Sequence, residues 1–443
     1  MKLVNTHKLF WLIAMFLVFN QSNAQVWTLK QCIDTALVHN KNLQINRNNS
    51  ALGNERHQET KANLIPKITA NADYKYFTDL PYQLMPLTAF NPAAPEGEFR
   101  EAQFGVPHSI NANLQLTMPI YNPQVYGAIK TTQMAVELNE LQLQRSEEQV
   151  FFEVSNLYYN AQVLHHQGRF IDSNLVNANR LLTTIRLLHE QLLATGNDVN
   201  RIALQVTQLT AQKENIASKY QQVLNGLKFM MGVPLTQHLE IDTAIFYKER
   251  ADYARSTNLD LRILKTQNGL LQSERNTLNR SRFLPSAGLF ATYGTTGFGY
   301  DKQPNTFLKF YPIGFTGIQL SYPLFNGTVT QRKINQKTLE IRNNELQYTL
   351  LTEQISMQIE NATLQITVSG STVETSKKQI ELAQSVYAQT VLQQKQGIAS
   401  LTDVLLADNA LREAQQNYLN AVVDYLKADL ELKKLNNQLR TTN

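Results

Sequence analysis

The sequence predicts a mixed α and β fold built from one unit used twice, each copy holding a helix, two β-strands and a long helical hairpin. Three observations carry this: landmarks that recur in order, segments alternating strictly between apolar and polar residues, and long proline-free stretches with helical spacing. Leu64-Ile65-Pro66-Lys67 corresponds to Phe283-Leu284-Pro285-Ser286, with a glutamate upstream of each, Glu55 and Glu274. Thr117-Met118-Pro119-Ile120-Tyr121-Asn122 corresponds to Ser321-Tyr322-Pro323-Leu324-Phe325-Asn326, and Thr195-Gly196-Asn197 is paired with Gln396-Gly397-Ile398. Proline to proline is 53 residues in the first copy and 38 in the second, so one loop is longer. Proline to glycine is 77 and then 74, nearly equal.

The chain opens like a secretory signal: Lys2 and Lys8, an apolar run from Leu9 to Phe19, then Ser22-Asn23-Ala24. This layout places cleavage before Gln25. The expected organisation is a signal peptide over 1–24, a first repeat over 25–240 and a second over 241–443.

In each repeat a polar-rich, proline-free segment with helical spacing, 29–63 and 252–283, ends at Pro66 or Pro285. Proline has no N–H to donate and fixes its own φ, so it stops the helix. Period two then takes over. Ile68 to Tyr76 and Ile110 to Met118 alternate without error, residues 287–294 only weakly, and Gly317 to Tyr322 well. Strands are expected at about 67–78, 108–119, 286–298 and 312–323. About 9–11 alternating residues can cross a bilayer as a tilted β-strand, whereas a soluble sheet with one wet face gives the same pattern. Aromatic residues near the strand ends, among them Tyr74, Tyr121, Phe298 and Tyr322, favour a membrane girdle. Residues 78–107 and 294–312 hold so many prolines and glycines that they are expected to be loops without regular structure.

Helical spacing then returns for hairpins at about 124–231 and 327–436. Val150, Val154, Leu157, Ala161 and Leu164 step as a coiled-coil seam, as do Leu181, Ile185, Leu188 and Leu192. Ile355 to Val373 and Ala414 to Leu432 continue it in the second copy. A helix of about 70 residues is roughly 105 Å long, which suits a spacer.

Several function classes drop out. Removing the leader takes the formal charge from +5 to +3, too weak and diffuse for nucleic acid. A lone cysteine, Cys32, rules out an internal disulfide framework and is expected on a buried helix face. No catalytic, cofactor or metal site is expected. His165-His166 are adjacent and diverge around a helix, and Gly297-Phe298-Gly299 lacks a following helix. No elbow motif gathers Ser, His and Asp.

Four strands cannot close a barrel, and an open edge in lipid leaves unpaired backbone groups at several kcal/mol each. Strands that cross a membrane must therefore be pooled, and three chains supply twelve. Strand–helix junctions are expected at Pro66, Pro119, Pro285 and Pro323, and two of them, Thr117-Met118-Pro119-Ile120-Tyr121-Asn122 and Ser321-Tyr322-Pro323-Leu324-Phe325-Asn326-Gly327, resemble those of the TolC-like outer-membrane efflux family. So do Leu29-Lys30-Gln31-Cys32-Ile33-Asp34-Thr35-Ala36-Leu37 and the turn Gly397-Ile398-Ala399-Ser400-Leu401-Thr402-Asp403. The resemblance covers nearly the whole mature chain. It implies a homotrimer with a 12-stranded β-barrel in outer-membrane lipid, continuous with a long periplasmic coiled-coil α-barrel. It also implies a role as exit duct for an efflux or type I secretion system, docked to a periplasmic adaptor and an inner-membrane transporter. In that family the glycine turns form the periplasmic tip, so Gly196 and Gly397 become candidates for adaptor contact. Asp403 becomes a candidate for the narrow entrance, while Leu406 stands where a second aspartate is common. The competing class is a periplasmic adaptor or structural coiled-coil protein. That class is expected to carry one hairpin flanked by soluble β-domains.

Overall fold

The computed structural model describes residues 26–245, 257–302 and 306–439; the leader expected over 1–24 lies outside the described residues. After β1 (Val26–Trp27) come α1 (Leu29–His39), α2 (Lys41–Ala62) and β2 (Lys67–Tyr76). A ribbon of β3 (Tyr82–Pro86) and β4 (Phe99–Gln103) precedes β5 (His108–Tyr121). The first hairpin is α3 (Pro123–Glu190) and α4 (Gly196–Met231), followed by β6 (Glu240–Ile241). The second copy runs α5 (Leu259–Phe283), β7 (Ser286–Tyr300), β8 (Phe307–Ser321), α6 (Val329–Lys395) and α7 (Leu401–Leu435).

Two compact units form, and each draws on both repeats. One takes the chain up to Ser50, Glu140–Leu264 and from Gln347 onward; the other takes Ala51–Asn139 and Lys265–Leu346.

The first unit is helical, and its helix starts are written in short polar residues. Thr28 caps α1, its Oγ1 accepting from the Gln31 amide while the Gln31 side chain accepts from the Thr28 amide. The same reciprocal box recurs at Thr195–Asp198 on α4 and at Ser400–Asp403 on α7, satisfying two otherwise orphaned N–H groups each time. Cys32, Ile33 and Ala36 on α1 bury against Val150, Val154, Tyr158 and Ala161 of α3 and Leu227 and Met231 of α4. Burial pushes the Cys32 thiol up to about 12, so it is an inert packing residue at neutral pH. Farther along α3, Tyr158, Gln162 and His166, one turn apart, tie down the strand exit. Tyr158 donates to the Trp27 and Asp242 carbonyls at 3.0 and 3.1 Å. Gln162 donates to the Asp242 and Ala244 carbonyls at 2.8 and 2.9 Å, and His166 lies 2.9 Å from that of Thr243.

Besides the β3–β4 ribbon, the second unit contains a four-stranded antiparallel sheet ordered β2-β5-β7-β8, with β2 and β8 as its edges among the described residues. Helix α3 enters from it through Asn122, whose Oδ1 accepts from the Gln124 and Val125 amides, with Pro123 at the first helical position where its missing N–H costs nothing.

Both expected loops contain regular structure. In 78–107 the prolines fall where they do least harm: Pro81 precedes β3, Pro86 ends it, Pro92 and Pro95 lie in the connection and Pro107 precedes β5. That leaves Tyr82–Met85 free to pair with Arg100–Gln103. In 294–312, β7 runs to Tyr300, two residues past its expected end, and β8 begins at Phe307, five residues before its expected start. The glycines there face large rings across the pair. Phe310 lies over Gly297, Tyr293 over Gly314 and Phe290 over Gly317. An aromatic ring covering a partner glycine replaces the missing side-chain contact, and Pro312 sits on β8, an edge strand in the chain, where a strand proline is tolerated.

Candidate functional site

The sheet is two-faced. Ile68, Ala70, Ala72 and Tyr74 of β2 stand in line with Leu116, Leu114, Ala112 and Ile110 of β5. The rows continue through Ala291, Tyr293, Thr295 and Gly297 of β7 to Thr316, Gly314, Pro312 and Phe310 of β8. Two threonines interrupt this apolar face, and each hides its hydroxyl: Thr295 donates to the Tyr311 carbonyl and Thr316 to that of Phe290, both at 3.1 Å. That is the behaviour needed where no water can satisfy a hydroxyl. Ile68, Tyr293, Ile318 and Leu320 are each about two-thirds exposed in the isolated chain, so the face has no cover of its own. The opposite face of β2 and β5 is polar and bonded to itself, Asn111 donating to Asp73 at 3.0 Å and Asn71 to Asn113 at 3.4 Å.

The four junction prolines lie at the ends of these strands. Pro66 and Pro285 directly precede β2 and β7. Pro119 lies inside β5, where the pairing with β7 shifts register before Tyr121, and Pro323 follows the end of β8. The second junction turns through Gly327 and Thr328, both with positive φ, at 65° and 67°.

The helix turns differ from the pairing made on sequence. Gly397 has φ 74°, but the residue in that conformation in the first hairpin is Leu192, at φ 61°. Gly196 is the first residue of α4, placed by its neighbour Thr195 as cap. Gln191-Leu192-Leu193-Ala194-Thr195 therefore matches Gln396-Gly397-Ile398-Ala399-Ser400. The hydrogen bonds agree, with Leu193 N donating to Leu188 O at 2.8 Å and Ile398 N to Gln393 O at 2.9 Å. Glycine misled because only one turn uses it; the constant element is the hydroxyl–aspartate cap. Leu192, read as a seam residue, is 91% exposed, and Ile398 is exposed at 73%.

Asp403 is the acid of that cap. Its Oδ2 accepts from the Ser400 amide at 2.9 Å and the Ser400 hydroxyl at 2.7 Å, and these bonds hold its carboxyl below the usual aspartate range. It is fully charged near neutral pH and fixed in direction. Below the turns, Leu181, Leu182 and Ile185 of α3 bury with Ile202 of α4 and Val404 of α7.

One feature escaped the pattern of seams: a buried polar layer further along the same helices. Asp408 Oδ2 accepts from Gln205 Nε2 at 2.5 Å and lies 2.9 Å from Arg412 Nε, while Asn174 donates to Gln415 Oε1 at 2.8 Å. The heptad spacing treats such positions as solvated; only Asp408 and Arg412 at i, i+4 signal a pair. Among the described residues no group of His, Cys, Asp and Glu could hold a metal ion, and no helix is long and apolar enough to cross a membrane.

The chain thus combines a sheet that has one apolar face with two long helical hairpins. Residues 254–438 match the family model described as outer membrane efflux protein. The alkaline protease secretion protein AprF of Pseudomonas aeruginosa is 28% identical over 155 residues, which is 35% of this chain; the chain spans 32% of that relative's length. The outer membrane protein VceC of Vibrio cholerae superposes with a TM-score of 0.74 over 92% of this chain and 95% of that one, at 14% identity. The CmeC outer membrane channel of Campylobacter jejuni gives 0.75 over 92% and 85%, at 13% identity. Residues 254–438 thus resemble the outer membrane efflux proteins, and the chain shares the fold of these outer-membrane channel structures.

Proposed function

We propose that this chain is the outer-membrane exit duct of a tripartite efflux or type I secretion system, working as a homotrimer. The apolar face running across all four strands, with two open edges, carries the reading. Lipid is the cover such a face lacks, and the edges must be paired by other copies, since an open edge in hydrocarbon costs several kcal/mol per unsatisfied group. Three copies give a 12-stranded barrel wide enough for water. The matched family, the AprF likeness and the channel folds support the same role. In this reading the helix turns meet a periplasmic adaptor that links the duct to an inner-membrane transporter. Their exposed members are Leu192 and Leu193 in the first turn and Ile398 beside Gly397 in the second, with Gly196 opening α4. The repeats divide near residue 240, each contributing two strands and one hairpin.

The test is fractionation followed by mass and conductance. The protein is expected in the outer-membrane fraction, with a detergent mass of three chains and water-filled conductance in planar bilayers. A monodisperse monomer that keeps its β-structure would overturn the trimer.

Asp403 is assigned here to the narrow end of that duct. Three-fold symmetry would bring three fixed carboxylates toward one axis, where cations bind between like charges. Because Asp403 also caps α7, the charge and the cap must be separated. Asp403→Asn keeps an oxygen for the Ser400 amide and removes the charge; it is expected to lower sensitivity to trivalent-cation block about tenfold with trimer yield unchanged. Asp403→Ala is expected to lose both block and order in the first turn of α7. Equal block in wild type and Asp403→Asn removes the carboxylate from the constriction.

A further inference from the structure

The face of the sheet opposite the apolar one changes character halfway across. In β2 and β5 it presents Thr69, Asn71, Asp73, Asn111, Asn113 and Gln115. In β7 and β8 the same face carries Phe290, Phe298, Tyr311, Ile313 and Phe315, since Gln115 pairs with Thr292 and Thr292 with Phe315, and Asn111 pairs with Thr296 and Thr296 with Tyr311. The rings gather in pairs: Phe290 meets Phe315 edge-on with centroids 6.2 Å apart, and Phe298 meets Tyr311 at 6.2 Å. Tyr311 and Phe315 are each 52% exposed. If the apolar face with Ile68, Tyr293 and Ile318 meets lipid, these rings face the water of the duct. There an apolar patch has no role in anchoring and is a binding surface.

Charge on this face is lopsided. Its strand residues include Lys67, Lys75 and Lys309 against Asp73 alone, and Asp73 is engaged by Asn111 at 3.0 Å and Lys75 at 3.8 Å. Lys75, Ser109, Phe298 and Lys309 occupy one row of the sheet, so two ammonium groups flank the outer ring pair.

We propose that this face is a contact strip for amphipathic anions: the Phe290–Phe315 and Phe298–Tyr311 rings take a planar or apolar body, and Lys75 and Lys309 take its negative charge. The proposal rests on the duct reading and adds a substrate class to it. A solute with an apolar body alone would gain nothing from the lysines, and a cationic one would be repelled by them.

The experiment uses the full-length protein in planar bilayers, with 2-naphthalenesulfonate as the anion and trimethyl(naphthylmethyl)ammonium as its cationic counterpart. Block by the anion is expected at about tenfold lower concentration than by the cation. Phe315→Ser is expected to weaken anion block about fivefold while leaving small-ion conductance intact, the loss of one ring contact. Lys309→Gln, which alters no packed ring, is expected to bring the two probes to similar potency. Equal block by both probes in the wild type overturns the proposal, as does block unchanged in both variants. A wild type that never conducts overturns the duct reading itself, and this inference with it.

Discussion

Gly294→Ala is expected to abolish the stable oligomer while leaving the helical hairpins folded. Gly294 sits in the middle of β7 and pairs with Asn113 of β5. A Cβ there would stand 2.2 Å from the Ala112 carbonyl oxygen and 2.6 Å from the Asn113 Cα, which are backbone atoms and cannot rotate away. The two strands must part, and the ladder that joins the first half of the sheet to the second fails. Overpacking of this kind costs about 3 kcal/mol, and backbone hydrogen bonds lost in an apolar setting add to it. In the proposed trimer the damage occurs three times around one barrel. Gly288→Ala is the control on the same strand, because its nearest backbone neighbour, the Met118 carbonyl oxygen, is at an ordinary 3.6 Å. The measurement is the fraction of outer-membrane protein that runs as a heat-modifiable trimer. Near-wild-type yield for Gly294→Ala would mean that the β5–β7 junction tolerates a shift that this geometry does not.

That glycine also marks where sequence reading stops working. In the first repeat each strand position carries a side chain suited to its face, so Ile68 to Tyr76 and Ile110 to Met118 announce themselves by alternation. In the second, contacts come from rings laid over glycines on the neighbouring strand, as Phe310 over Gly297. Half of each such pair is silent in a one-dimensional pattern, and glycine is counted as a breaker. The strands were therefore expected to be shorter than they are. The helical hairpins were legible because seam residues such as Val154, Ile185 and Val373 bury as their spacing requires. Their turns were legible in place but not in detail. Gly397 suggested Gly196 as its counterpart, whereas the shared grammar was a hydroxyl followed three residues later by aspartate, at Thr195–Asp198 and Ser400–Asp403. Asp403 is a candidate through the family resemblance, and its cap on α7 is a second role carried by the Ser400–Asp403 spacing. The buried layer at Asp408 was not legible, because polar residues on a coiled coil are solvated by default and only the approach of a second hairpin buries them.

Asp408→Ala is expected to loosen the contact between α4 and α7 without disturbing the sheet. Asp408 is buried to 3% exposure and its carboxylate serves Gln205 and Arg412 together. Removing it strands the buried Gln205 donor and takes the counter-charge from Arg412, while Gln205 Oε1 and Arg412 Nε already lack a hydrogen-bond partner in the described structure. An unpaired buried donor costs 1–3 kcal/mol and more when charged, so a loss of about 3 kcal/mol is expected locally. Hydrogen exchange reads this directly, as roughly hundredfold faster exchange of amides in 202–210 and 404–415. Asp408→Asn retains an oxygen for Gln205 and is expected to lose much less. The two also differ with pH. Burial raises the Asp408 carboxyl above its ordinary 3.8, with Arg412 and the Gln205 hydrogen bond pulling it back down. A group whose folded pKa lies above its unfolded one binds its proton more readily in the folded chain. The stability it contributes is therefore fully present below 3.8 and is lost as pH rises through the folded value. Wild type should gain protection relative to Asp408→Asn as pH falls toward that range. If instead wild type loses protection relative to Asp408→Asn on acidification, the Arg412 ion contact outweighs burial and the layer is an ion pair first.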